Sequence, residues 1–156
     1  MFSEIQTLLT NNSSACITHA NKLAFTNKQK TIHGEDIFWG ISLFLKHHDL
    51  NAIFWKLIGI SEELLEEYFQ NKYTLSTILG SLEKAKKIPL SKKVAQRLQK
   101  HINDTTKKLD LDVLFFVSFN DLSNQFTTHL NTHGVSTKNI VKNYEKLTKN
   151  PIILEM

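Results

Sequence analysis

His33-Gly34-Glu35-Asp36-Ile37-Phe38-Trp39-Gly40-Ile41-Ser42-Leu43-Phe44-Leu45-Lys46-His47 is the stretch on which the fold turns. Ile37, Phe38, Ile41, Phe44 and Leu45 recur at the three- and four-residue intervals of a helix with one apolar face. The acids Glu35 and Asp36 fall in its first turn and His47 and His48 at its end, where the helix dipole favours each charge. A helix is predicted over 35–47. Beyond it, Asp49 is the expected cap of a short helix through Ile58, which Gly59 ends in the left-handed conformation. Ser61 then caps a helix with Glu62 and Glu63 in its first turn and Leu64, Leu65, Tyr68 and Phe69 as its buried stripe. Toward the N-terminus, a loop over 25–33 leads back to a helix capped by Ser3. Its apolar positions are Ile5, Leu8, Leu9, Cys16, Ala20 and Leu23, and its middle is weak over 11–14.

The second half repeats this grammar after a joint at 71–89, where Pro89 forces Ile88 out of helical geometry and a further helix over 74–87 has room to form. Leu90-Ser91 opens a helix carrying Val94, Ala95, Leu98, Ile102 and Leu109. Asp112 starts an apolar helix over 113–119, Gly134 stops a short segment around Phe126 and Leu130, and Ser136 caps a last helix with Ile140, Val141, Tyr144 and Leu147. Gly59-Ile60-Ser61 and Gly134-Val135-Ser136 lie 75 residues apart, and Glu35 and Asp112 lie 77 apart, so the spacing supports a duplication. Ser3 and Ser91 lie 88 apart, which makes the second copy about eleven residues shorter between its cap and its acidic helix start. The expected fold is all-α: two pseudo-repeated four-helix units in one compact bundle, with a first unit over 1–70, a linker over 71–89, a second unit over 90–149 and a tail over 150–156.

Composition narrows the class. A length of 156 residues suits one domain, and 41% hydrophobic with 22% charged residues excludes a disordered tail. Two prolines and five glycines leave few turn-makers, which favours helices. The single cysteine, Cys16, can build neither an internal disulfide nor a thiolate zinc cluster. No basic lead and apolar stretch marks a signal peptide, and the greasiest run, 37–45, is far below the roughly 20 residues that span a bilayer. A cytoplasmic protein away from membranes is expected. Charge is divided: residues 1–70 carry five lysines against eight acids, whereas 82–108 carry nine cations against Glu83 and Asp104.

At these residues the chain resembles the double Clp-N domain, the paired four-helix repeat at the front of Clp-type AAA+ unfoldases. In that family a Phe-Thr or Tyr-Thr cap is followed by a Gly-Thr-Glu-His segment leading into an apolar helix, and the repeat closes through Leu-Gly-Val and a Ser or Asp cap. Here the first copy reads Phe2-Ser3, then His33-Gly34-Glu35-Asp36-Ile37-Phe38-Trp39-Gly40-Ile41, then Leu57-Ile58-Gly59-Ile60-Ser61. The second reads Ile88-Pro89-Leu90-Ser91, then Leu111-Asp112-Val113-Leu114-Phe115, then Leu130-Asn131-Thr132-His133-Gly134-Val135-Ser136. The likeness runs from Phe2 to about Thr148. Asp36 replaces the family's histidine, and the second copy keeps only the acid. The resemblance implies a docking module without catalysis, which receives client proteins or an adaptor for a Clp-type ATPase ring or its protease and is monomeric in isolation. It could be a segment of a larger ATPase, a freestanding accessory protein, or the front domain of the secretion-system relative. It also implies that Glu35 and Asp112 stand where some members hold phosphorylated arginine.

Several residues invite a functional reading beside a plainer one. Glu35 and Asp36 can receive a cationic group from a client, or simply satisfy a helix N-terminus. Phe38, Trp39, Phe44, Phe54 and Trp55 are more aromatic surface than a thin four-helix unit easily hides, and in the adjacent pairs Phe38 with Trp39 and Phe54 with Trp55 one helix face cannot bury both equally. At least one is expected to reach the surface, with Trp39 as the candidate for a protein-binding patch, unless the second unit covers it. His47, His48 and Asp49 are too divergent to share a metal, Cys16 has no base partner, and no glycine sits in a phosphate-cradling loop. Neither cofactor nor metal nor catalytic residue is expected. The rival function is nucleic-acid binding through the basic stretch from Lys84 to Lys108. Against it, Arg97 is the stretch's one arginine and no aromatic residue is interleaved for base stacking.

Overall fold

Thr10, not Ser3, starts the first long helix. The computed structural model describes residues 2–79, 86–105 and 108–148, and their regular elements are α1 (Phe2–Leu8), α2 (Asn11–Thr26), α3 (Gly34–His47), α4 (Asn51–Ile58), α5 (Glu62–Leu79), α6 (Lys92–Thr105), α7 (Leu111–Phe119), α8 (Asn124–Thr132) and α9 (Thr137–Thr148). The expected all-α class is what the described residues show. The chain breaks at Leu9 because Thr10 is extended and its Oγ1 accepts from the Ser13 amide at 3.2 Å, so 11–14 is a helix start rather than a weak helix middle. Counted from Thr10, the distance to Glu35 is 25 residues against 21 from Ser91 to Asp112, which removes most of the expected shortening.

Other caps follow the sequence more closely. The Ser91 hydroxyl accepts from the Val94 amide at 3.2 Å at the head of α6, and Gly59 (φ +93) and Gly134 (φ +75) take the left-handed turns that glycine tolerates. Asp49 does not cap α4. It takes the left-handed conformation itself (φ +56), and Leu50 stands at the cap position. Leu111 rather than Val113 begins α7, because Asp110 Oδ1 accepts from the Val113 amide at 3.1 Å. Of the region expected as a linker, 71–79 continues α5 past a break at Tyr73 (φ −121, ψ 31), residues 86–89 are not helical, and 80–85 lies outside the described residues. The tail over 150–156 lies outside them as well.

The core is built around α3. Helix α2 packs on one flank and α7 on another. The approach of α2 is close because Gly40 has no side chain: a Cβ there would collide with the Cys16 carbonyl and the Ala20 backbone. Covered on several sides, α3 buries Glu35 through Ile41 without interruption. Phe38 touches Trp39, Trp55, Phe115, Phe119 and Phe126, with ring centroids 5.1 to 6.3 Å apart. Each such side chain contributes roughly 1.5–3 kcal/mol by leaving water.

Two short backbone pairings cross the bundle. Leu9 pairs in parallel with Leu109, and Ile32 with Leu90. The Thr10 amide donates to the Leu109 carbonyl and the Leu109 amide to the Leu8 carbonyl; likewise the Ser91 amide donates to Ile32 and the Ile32 amide to Pro89. Each pairing therefore joins the entry of one helix to the entry of another: α2 with α7, and α6 with α3.

Candidate functional site

The N-terminal turn of α3 gathers the first two expected binding residues and encloses them. Glu35 and Asp36 are 2% and 1% exposed, too little for either carboxylate to meet solvent. Asp36 is the third residue of the helix and reaches back to accept the His33 amide at 2.9 Å. The same oxygen accepts the Gln29 amide group at 2.6 Å, and the other accepts the Tyr73 hydroxyl at 2.6 Å. Burial and the adjacent carboxylate push the Tyr73 phenol well above its ordinary range, so it stays a donor. Glu35 Oε1 accepts both the backbone amide and the hydroxyl of Ser123, and Oε2 pairs with Lys72. Asp121, from the same turn as Ser123, accepts the Gly34 amide at 2.9 Å and pairs with Lys93 at 3.2 Å.

Three carboxylates thus surround one helix start, compensated by the dipole, by Lys72 and Lys93, and by neutral donors. Their oxygens are engaged within the chain. The arrangement clamps α3 to α5 and to the α7–α8 turn; it offers no open seat for a client's cation.

Trp39 is 1% exposed and stacks on Tyr68 at 5.9 Å and 14°. The expectation of a surface aromatic is overturned, since Phe38, Trp39, Phe44, Phe54 and Trp55 are all buried. Periodicity marks one buried face per helix, whereas α3 meets neighbours on several. Among the described residues, the large apolar ones that face solvent are Ile53 and Leu57, 57% and 48% exposed, one turn apart on α4. Their four-residue spacing off the Phe54-Ile58 stripe was the available signal.

Asp112, like Trp39 elsewhere, borders a cavity. It is half-buried on α7 and accepts the Tyr144 hydroxyl at 2.7 Å, while burial raises its pKa. The groove beside it, about 570 Å³ between α6 and α7, also presents Arg97, Lys100 and Lys108 over a floor of Val113 and Phe116. One guanidinium nitrogen of Arg97 is buried there with no hydrogen-bond partner among the described residues. Glu35 and Asp112 share no bonded partner. The basic stretch is dispersed: Lys93 is tied to Asp121, Arg97, Lys100 and Lys108 face this groove, and Lys84 and Lys107 lie outside the described residues.

A further cavity, which sequence reasoning missed, opens where α1 and α2 meet the Ile32–Leu90 pairing. About 200 Å³ in volume, it is lined by Ile5, Leu9, Ile17, Ile32, Ile88 and Leu90. Asn21 holds its edge by bonding the Lys86 carbonyl at 3.0 Å and the Ile88 amide at 2.6 Å. Ile17, off the Cys16-Ala20-Leu23 stripe, was the residue that could have announced it.

Chemically reactive arrangements do not stand out. Burial pushes the Cys16 thiol up to about 12, so it is not a nucleophile at neutral pH. Among the described residues, no three His, Cys, Asp or Glu side chains gather to hold a metal ion, and no helix is long and apolar enough to cross a membrane. Compared with known proteins, the chain matches no family model and no curated protein.

Proposed function

We propose that this chain is a non-catalytic recognition domain of the double Clp-N kind, which receives client proteins or an adaptor for a Clp-type unfolding ATPase in the cytoplasm and is monomeric in isolation. The observation that carries the reading is the pair of matched backbone junctions, Leu9 with Leu109 and Ile32 with Leu90, bonded in the same pattern. A duplicated motif folded against its own copy makes such a pair, and an unrelated helical bundle has no reason to. The apolar cavity at the second junction suits an aliphatic side chain of a docked segment. Asp112 lines a second groove that suits a polar one. Glu35 and Asp36 hold α3 in place instead of meeting the client.

Co-purification with a Clp-type ATPase or its adaptor tests the reading. The intact chain captures that partner, Ile17→Glu in the apolar cavity weakens capture at least tenfold with an unchanged circular dichroism spectrum, and Lys86→Ala with Lys92→Ala, both exposed and outside either cavity, leaves it intact. Steeply salt-dependent DNA binding that the two lysine changes abolish, with no capture of the ATPase or adaptor, would replace this function by the nucleic-acid one.

A further inference from the structure

Helices α3, α4 and α5 line a third cavity, about 50 Å³ and open to one side, floored by Trp39, Leu43, Trp55, Leu65 and Phe69. Its rim is polar, with Lys46, Glu62 and Glu66 beside Ser42 and Asn51, and Asn51 donates to one Glu62 carboxylate oxygen. Around that rim, α5 turns Glu62, Glu63, Glu66 and Glu67 to solvent. The ion pair drawn from these four among the described residues is Lys46 with Glu66, 3.3 Å long and more than half exposed on both sides. Trp39 adds a second and independent feature. Its indole Nε1 is buried with no acceptor among the described residues, although the ring lines the cavity, and a buried donor left unmade costs about 1–3 kcal/mol.

We propose that this cavity binds a basic peptide segment by taking up one arginine side chain. The aliphatic stem lies on Leu43 and Phe69, the guanidinium meets the aromatic wall and the Glu62 and Glu66 carboxylates, and a main-chain carbonyl of the segment accepts the Trp39 N–H. Glu63 and Glu67 attract further cations of the same segment. Lys46 already imitates the occupant from within the chain, with its stem on the cavity and its ammonium on Glu66. The inference rests on the recognition reading above and names one class of client for it.

The chain's two tryptophans, Trp39 and Trp55, both line this cavity, so their two indole N–H signals in a proton–nitrogen correlation spectrum report on it directly. The probe is a 12-residue, N-acetylated, alanine-rich peptide carrying three arginines, titrated into the full chain; the control replaces arginine with glutamate. Saturable shifts of the indole signals with the arginine peptide alone are expected. Glu62→Gln with Glu66→Gln, both at exposed positions, weakens binding about tenfold or more. Lys46→Ala, by removing the internal competitor, tightens it about threefold, the scale of a surface ion pair. Indole signals that do not move, or an affinity indifferent to both sets of changes, overturn the proposal. If capture of the ATPase or adaptor through the Ile17 cavity persists in that case, this site alone fails; if capture fails too, the recognition reading falls with it.

Discussion

Asp36 shows how a residue with the chemistry of a binding site is spent on the fold. A buried carboxylate is tolerated when donors replace the water it lost, and Asp36 has three, from His33, Gln29 and Tyr73. Removing the Tyr73 hydroxyl leaves one oxygen without its donor in a site water does not reach. Tyr73→Phe is therefore expected to cost about 1–3 kcal/mol in urea denaturation. Tyr144→Phe is the control at a comparable bond, since Tyr144 donates to Asp112. Asp112 is only half-buried and can recruit water, so that change should cost clearly less. Equal losses would mean that the α3 clamp holds no more than a surface hydrogen bond does. The presence of acids at this helix start was legible in Glu35-Asp36; their partners were not, because Lys72, Ser123 and Asp121 come from distant segments.

Helix positions were largely readable from periodicity and capping chemistry, and the errors have local causes. Thr10 and Ser3 both offer a cap, and what decides between them is the pairing of Leu9 with Leu109, a hundred residues away in sequence. Asp49 has the side chain of a cap but also tolerates left-handed backbone better than most residues, and the turn used the second property. The two-sided burial of α3 was invisible because periodicity counts faces, not neighbours. Its closest neighbour makes a sharp forecast: Gly40→Ala places a methyl against the Cys16 carbonyl, so α2 and α3 must separate. A loss of about 1–3 kcal/mol is expected, the ordinary cost of overpacking; a neutral effect would mean that the two helices slide apart freely. Helix α2 also carries a pH dependence. Partial burial, then His47 and Lys22, hold the His19 pKa below its usual 6.5. The unfolded chain then takes up this proton before the folded one does. Stability is accordingly complete above pH 6.5 and falls as pH drops toward the lowered folded-state value, and His19→Gln should flatten that slope in thermal melts followed between neutral and mildly acid pH.

At the scale of the molecule the two halves are interleaved rather than set side by side. Both backbone pairings run between them, α3 packs on α7 and α4 on α9, and the Asn143 side chain donates to the Ile58 carbonyl at 2.7 Å. Neither half keeps its apolar faces covered without the other, so unfolding should be a single cooperative event. The distribution of aromatic residues supplies the reporters. Both tryptophans belong to the first half and are buried, whereas Phe115, fully buried and stacked on Tyr144 at 4.0 Å, belongs to the second. Phe115→Ala should cost about 3–5 kcal/mol through the cavity it leaves. If the halves unfold together, tryptophan fluorescence must register that loss in full, with the same urea midpoint as far-ultraviolet circular dichroism. A tryptophan midpoint that stays at the wild-type value while the helical signal divides into two transitions would show two independently stable units. The matched junctions would then be an accident of packing, and duplication would no longer support the proposed Clp-N-type recognition domain.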